Sequence, residues 1–174
     1  LLAALAGPAL AGPALAASDP NGRLREIAAL LERDNTQART ILVQEGPGLI
    51  AGAPYPTRMQ YLRLLRRAHA DAGSLPDVHT VNEQIIALAE AEGDAVNLAL
   101  ASLGRAQTLI TNNDPGAGLA LLATLGARYG ELGNPEFDAG IETLHGSGYS
   151  AVGQYDRALG HFMRALEIVR AHPA

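Results

Sequence analysis

The chain has 174 residues, a net charge of −5, no cysteine, no tryptophan, and thirteen basic residues that are all arginine. An acidic balance argues against a general nucleic-acid binder, which carries a basic footprint, and the missing cysteine excludes disulfides and thiolate metal sites. The length suits one domain with a continuous core, and an Ala/Leu-rich composition with only 4% aromatics suits helices packed closely through small side chains.

In chain order, residues 1–17 read LLAALAGPALAGPALAA, without a charge. Ala14-Leu15-Ala16 followed by Ser18-Asp19-Pro20 has the form of an export signal's apolar core and cleavage site. The segment is too short, and too broken by Pro8 and Pro13, to span a membrane as a helix. Export would place the chain in the periplasm of a Gram-negative bacterium; without it the chain is cytoplasmic. Residues 18–45 carry helical spacing at Leu24, Ile27, Leu30 and Leu31 and are expected to form a helix hairpin. Residues 46–56, GPGLIAGAPYP, contain three prolines and three glycines; the expectation is an irregular loop that no helix crosses, separating the hairpin from the rest and offering a contact site.

From residue 57 the helical spacing resumes at Tyr61, Leu62, Leu64 and Leu65, then at Ile85, Ile86, Leu88 and Ala89. Arg58, Arg63, Arg66 and Arg67 form the one basic cluster, with Arg63 and Arg67 on one helix face. It reads as a solvated face or as a dock for an acidic partner. Gly73, Gly93, Gly133 and Gly153 fall at twenty-residue steps, Asn113 occupies the vacant step, and Gly52 stands one residue out of register. Gly and Asn tolerate the left-handed conformation that ends a helix. Ser74, Asp94, Asp114 and Asn134 follow as helix starters. The expected turns are therefore 72–75, 92–94, 112–115, 132–135 and 152–154. No strand or hairpin-turn pattern is present.

Residues 146–165 show the most specific pattern: Gly146, Tyr149, Gly153, Tyr155, Ala158, Phe162 and Ala165. This spacing resembles the tetratricopeptide repeat, a helix–turn–helix unit with small and aromatic residues at fixed offsets. Leu125-Gly126 and Tyr129 with Gly133 echo it. The forty-residue hairpin period exceeds the family's period of about 34 and resembles its long-helix relatives. The resemblance implies an all-α fold, a right-handed superhelix of antiparallel helix hairpins, with the array over 57–174. It also implies that Gly146 and Ala158 meet at a tight crossing, with Tyr149, Phe162 and Leu166 beside it and Ala165 facing the next unit.

The resemblance further implies a protein or peptide partner and no catalytic activity. Arrays of this appearance resemble the exported sensory regions ahead of bacterial signalling domains such as diguanylate cyclases and histidine kinases; the alternative is a free-standing scaffold or assembly factor of the cell envelope. The natural chain is expected to continue, because the last repeat lacks a polar cap. The family's Lys/Arg/Asn clamp for a terminal carboxylate is absent from the last repeat. Its inward positions are Thr143, Ser147, Ser150 and Ala151. Thr143, Ser147 and Ser150, with Arg63, Arg66 and Arg67 as a second patch, are the expected contact residues.

Chemistry has few candidates. Glu142-x-x-His145 offers a single carboxylate–imidazole pair where a di-iron bundle needs two pairs and two more carboxylates. His69, Asp71, Asp77 and His79 flank the Gly73 turn, where polar residues are expected. His161 and His172 are lone surface histidines on this reading. There is no phosphate loop, dinucleotide fingerprint or HExxH, and Gly146-Ser147-Gly148 is no nucleophile elbow. No cofactor is expected.

Overall fold

The computed structural model describes residues 19–173, so the leader expected at 1–17 lies outside the described residues. Within them there is no strand. The α-helices in order are α1 (Pro20–Leu31), α2 (Asn35–Leu49), α3 (Tyr55–Asp71), α4 (Leu75–Glu92), α5 (Ala95–Thr111), α6 (Pro115–Tyr129), α7 (Pro135–Ala151) and α8 (Tyr155–Ala171). A single 3₁₀ turn at Gly130–Leu132 extends α6.

Local chemistry sets both ends of most helices. The Asp94, Asp114 and Asn134 side chains accept from Asn97 N, Ala117 N and Phe137 N, at 2.9, 3.0 and 2.9 Å. Each satisfies an otherwise unpaired first-turn amide. Ser74 precedes α4 but turns its hydroxyl to Asp77 instead. At the other ends, Ser74 N→His69 O, Asp94 N→Ala89 O, Asp114 N→Leu109 O and Gln154 N→Tyr149 O close the six-residue ring of a Schellman turn. That ring needs one left-handed residue. Positive φ occurs at Gly52, Gly73, Gly93, Gly133 and Gly153, and at one non-glycine residue among those described, Asn113. These are the positions that the twenty-residue punctuation singles out.

The expected loop at 46–56 is shorter than its composition implies. Helix α2 runs through Pro47 to Leu49, and α3 already begins at Tyr55. Pro47 sits in the last turn, where it removes only the amide that would meet the Val43 carbonyl. Val43 itself is half exposed. Gly46 is needed in the helix, because a Cβ there would strike the ring of Tyr61. The loop also separates nothing: one buried cluster joins Leu24, Ile27 and Leu42 of the first hairpin to Leu65, Val81 and Ile85.

Each helix packs on its chain neighbours, and α1 also packs on α3, and α5 on α7. Helices α3 and α5 make no comparable contact. A second cluster gathers Ala106, Leu122, Tyr129, Phe137 and Ile141 from α5 to α7. Leu98 packs against both clusters.

At the α7–α8 crossing Gly146 is buried, and a Cβ on it would lie 2.6 Å from the Phe162 ring. Ala158 is buried there too. Ala158→Leu is therefore expected to destabilise by about 1–3 kcal/mol through overpacking, read as a lower denaturant midpoint. Phe162 lies beside the crossing as expected, its ring against Gly146, yet it stays 40% exposed and Leu166 47%. One expectation fails here. Ala165 lies two turns from Ala158 on the same face and is buried in the contact with α7, leaving it unavailable to a further unit.

Candidate binding groove

Where α3 and α5 part, a groove of about 650 Å³ opens, with α7 as its far wall. Arg63, Arg66 and Arg67 enter from α3, Asn82 from α4, Gly104 and Gln107 from α5, and Glu136, Gly140 and Thr143 from α7. The two patches expected from sequence are thus brought together in part. Thr143 shares the groove with the three arginines; Ser147 and Ser150 do not line it. The Thr143 and Ser147 hydroxyls donate to their own helix, at Ala139 O (2.8 Å) and Thr143 O (3.1 Å). Arg58 leaves the basic cluster to pair with Glu92 at 3.2 Å.

The three groove arginines differ in state. Arg67 is neutralised by Glu32 at 2.8 Å and Asp71 at 3.6 Å. Arg63 and Arg66 have no carboxylate within ion-pair distance among the described residues. Burial pulls the Arg66 guanidinium below its ordinary pKa, and neighbouring Arg63 adds to this against the more distant Glu136. Arg66 is therefore a partly desolvated cation with no ion-pair partner, offset only at longer range by Glu136, an arrangement that an incoming anion relieves.

Asn82 is the second unusual group. It is 3% exposed, and its amide oxygen has no hydrogen-bond donor. Its side chain lies against Gly104, where a Cβ would collide with it. A helix-interior glycine costs about 1 kcal/mol against alanine; here it makes room for that amide. Gly140 does the same for Leu103 on the opposite wall, where a Cβ would lie 2.7 Å from the leucine.

Outside the groove lining, α3 and α5 are also tied directly. The Tyr55 hydroxyl of α3 donates to Asp94 Oδ2 at 2.6 Å, and Asn97 Nδ2 donates to the same oxygen at 2.7 Å. Burial first, then the Asp94 carboxylate, pushes the Tyr55 phenol up to about 12. This ties α3 to the start of α5 although the two helices do not pack along their length.

No family model matches the chain, and no curated protein or solved structure matches it. Among the described residues, no helix is long and apolar enough to cross a membrane.

The remaining chemical candidates are engaged in packing between α7 and α8. The Glu142 carboxylate accepts from His161 Nδ1 and from Arg164 Nε, both at 2.8 Å. His145 donates Nδ1–H to Ile141 O and stacks on His161 at 4.9 Å, and Tyr149 stacks on His161 at 5.1 Å. His161 is thus a packing residue, contrary to the surface placement expected. At the Gly73 turn, His69 Nδ1 approaches Asp77 to 3.4 Å without making a hydrogen bond. No group of three potential metal-binding side chains gathers among the described residues.

The α7–α8 cluster has a pH consequence. Burial would raise the Glu142 carboxyl, but the hydrogen bonds from His161 and Arg164 hold it below the usual range. Burial pushes the His145 imidazole down, only partly opposed by its bond to Ile141. Both shifts make the folded state bind fewer protons than the unfolded state, so both contributions are present at high pH and lost on acidification. The melting temperature is expected to fall as pH drops through about 6.5, from His145, and again below about 4.3, from Glu142. Glu142→Gln should shrink the lower step without abolishing it, because Glu83 and Asp94 are also held below the usual range. It should deepen the upper step, because the Glu142 charge holds the His145 imidazole up. Both changes are read in a circular-dichroism pH series.

Proposed function

We propose that this chain is a protein-binding helical-repeat module without catalytic activity, its hairpins stacked as a tetratricopeptide-like right-handed solenoid. In this reading α1, α3, α5 and α7 line the inner face, and an acidic, extended segment of a partner protein occupies the groove between α3 and α7. The observation that carries it is Arg66, a partly buried cation beside Arg63 with no carboxylate of its own among the described residues. A ligand carboxylate meets Arg63 and Arg66. The wider context belongs to the same proposal: an exported sensory segment of a bacterial signalling protein, resting on the leader-like run at 1–17 and on the repeat pattern at 146–165.

The test is calorimetric titration with a twelve-residue Asp/Glu-rich peptide and its Lys/Arg counterpart. The acidic peptide alone should bind, in the micromolar range, and less tightly as salt is raised. Arg63→Glu with Arg66→Glu should weaken it by about a hundredfold, since removing and reversing two ligand-facing charges costs several kcal/mol, with the helical circular-dichroism signal unchanged. Equal binding of both peptides, or an unaffected double variant, rejects the groove. Ser147→Gln with Ser150→Gln tests whether the contact continues along α7.

A further inference from the structure

Helix α8 has two faces. Ala158 and Ala165 are buried against α7, while Tyr155, Leu159, Phe162, Met163, Leu166 and Val169 are exposed, Tyr155 and Leu159 by 70% and 60%. These six side chains recur at helical spacing along one side of a seventeen-residue helix, a stripe about 21 Å long. A continuous exposed apolar stripe of this kind marks an interaction surface.

Charge identifies what fits it. Asp156 and Arg170 border the stripe on the same flank, at opposite ends of α8, just under four turns apart. Neither takes part in an ion pair among the described residues, whereas Arg164, on the other side of the helix, is committed to Glu142. When two identical helices pack antiparallel about a two-fold axis, like flanks meet and opposite ends lie together. With the axis between Phe162 and Met163, Leu159 of one copy lies over Leu166 of the other, and Phe162 over Met163. Asp156 of each copy then comes within one residue of register of Arg170 in the other, twice over. The leader at 1–17, uncharged throughout, has nothing to offer either group.

We propose that α8 is a self-association surface that joins two copies of this chain through an antiparallel, two-fold α8–α8 contact. The contact needs no ligand in the groove and stands apart from the groove reading. One helix per copy buries an area at the small end of specific interfaces, below about 1,200 Å² in total, where weak and transient association is the rule. A dissociation constant in the tens of micromolar, roughly, is therefore expected.

Sedimentation velocity on the full chain, from about 5 to about 500 µM, should show monomer passing to dimer with no larger species. Met163→Asp should leave monomer throughout; Met163 is exposed, so the fold should survive, with circular dichroism as the check. Asp156→Arg and Arg170→Asp should each weaken the dimer by at least about fivefold through like-charge juxtaposition. The two together should restore it, because the pairing is re-formed with its signs exchanged. A chain monomeric at every concentration overturns the proposal, as does association untouched by Met163→Asp. A double variant no better than the singles overturns it too. A chain that dimerises only after deletion of 1–17 also overturns it, since the leader would then be the occupant of the stripe.

Discussion

Phe137→Ala is expected to destabilise the chain by about 3–5 kcal/mol, among the largest effects of any single truncation here. Phe137 is 1% exposed and sits in the first turn of α7. Its ring meets Tyr129 edge-on at 6.1 Å between centroids, a favoured aromatic geometry. It also fixes the link between the end of α6 and the start of α7, where Asn134 caps its own amide. The neighbours cannot close the space: Tyr129 is held by the following 3₁₀ turn, and Leu122 and Ile141 belong to two different helices. Urea melts of the variant and parent check the loss; a midpoint change equivalent to less than about 1 kcal/mol would show that the site collapses around the cavity.

Leu42→Ala is expected to cost about 2–5 kcal/mol, and in the other half of the molecule. Leu42 is fully buried in the cluster built from α1 to α4 with Ala101 of α5. Its carbonyl accepts from the Tyr61 hydroxyl at 3.3 Å, beneath the close approach of Gly46 to the same ring. Truncation opens a cavity under a ring that cannot move outward without losing that bond. The informative measurement is hydrogen exchange. Amides of α1 to α3 should lose protection in Leu42→Ala and those of α6 and α7 in Phe137→Ala, because the two buried clusters are separate and share Leu98 as a packed neighbour. Uniform loss of protection in both variants would show instead that the two clusters open as one cooperative unit.

The turns were legible because their causes are local. A left-handed Gly or Asn followed by a capping Asp or Asn stops one helix and starts the next whatever packs around it, and Asn113 obeys this rule as the glycines do. The end of α2 was misread for the complementary reason. Pro47 is a helix breaker in general, but in a final turn it deprives a single carbonyl of its partner. The groove was half legible. Arg63, Arg66 and Arg67 announce a basic face, and Thr143 a polar position on α7, yet nothing local says that α3 and α7 share a cavity. Gly104 and Gly140, glycines inside helices, were the available signals of close approach to Asn82 and Leu103. The exposure of Phe162 and Leu166 depends on what stands beside α8, which no spacing rule encodes.

The gap between α3 and α5, bridged by α4 and by the Tyr55–Asp94 bond, is expected to act as a joint. Along the odd-numbered helices, α1 is fastened to α3 and α5 to α7, so bending is expected at the step between α3 and α5, with the Tyr55–Asp94 bond as its pivot. A wedge seated there converts occupancy into an angle between the two halves. Labels at Arg25 on α1 and Arg157 on α8 would register that angle as a change in separation, with the lever arms of both halves amplifying a small displacement at the fulcrum.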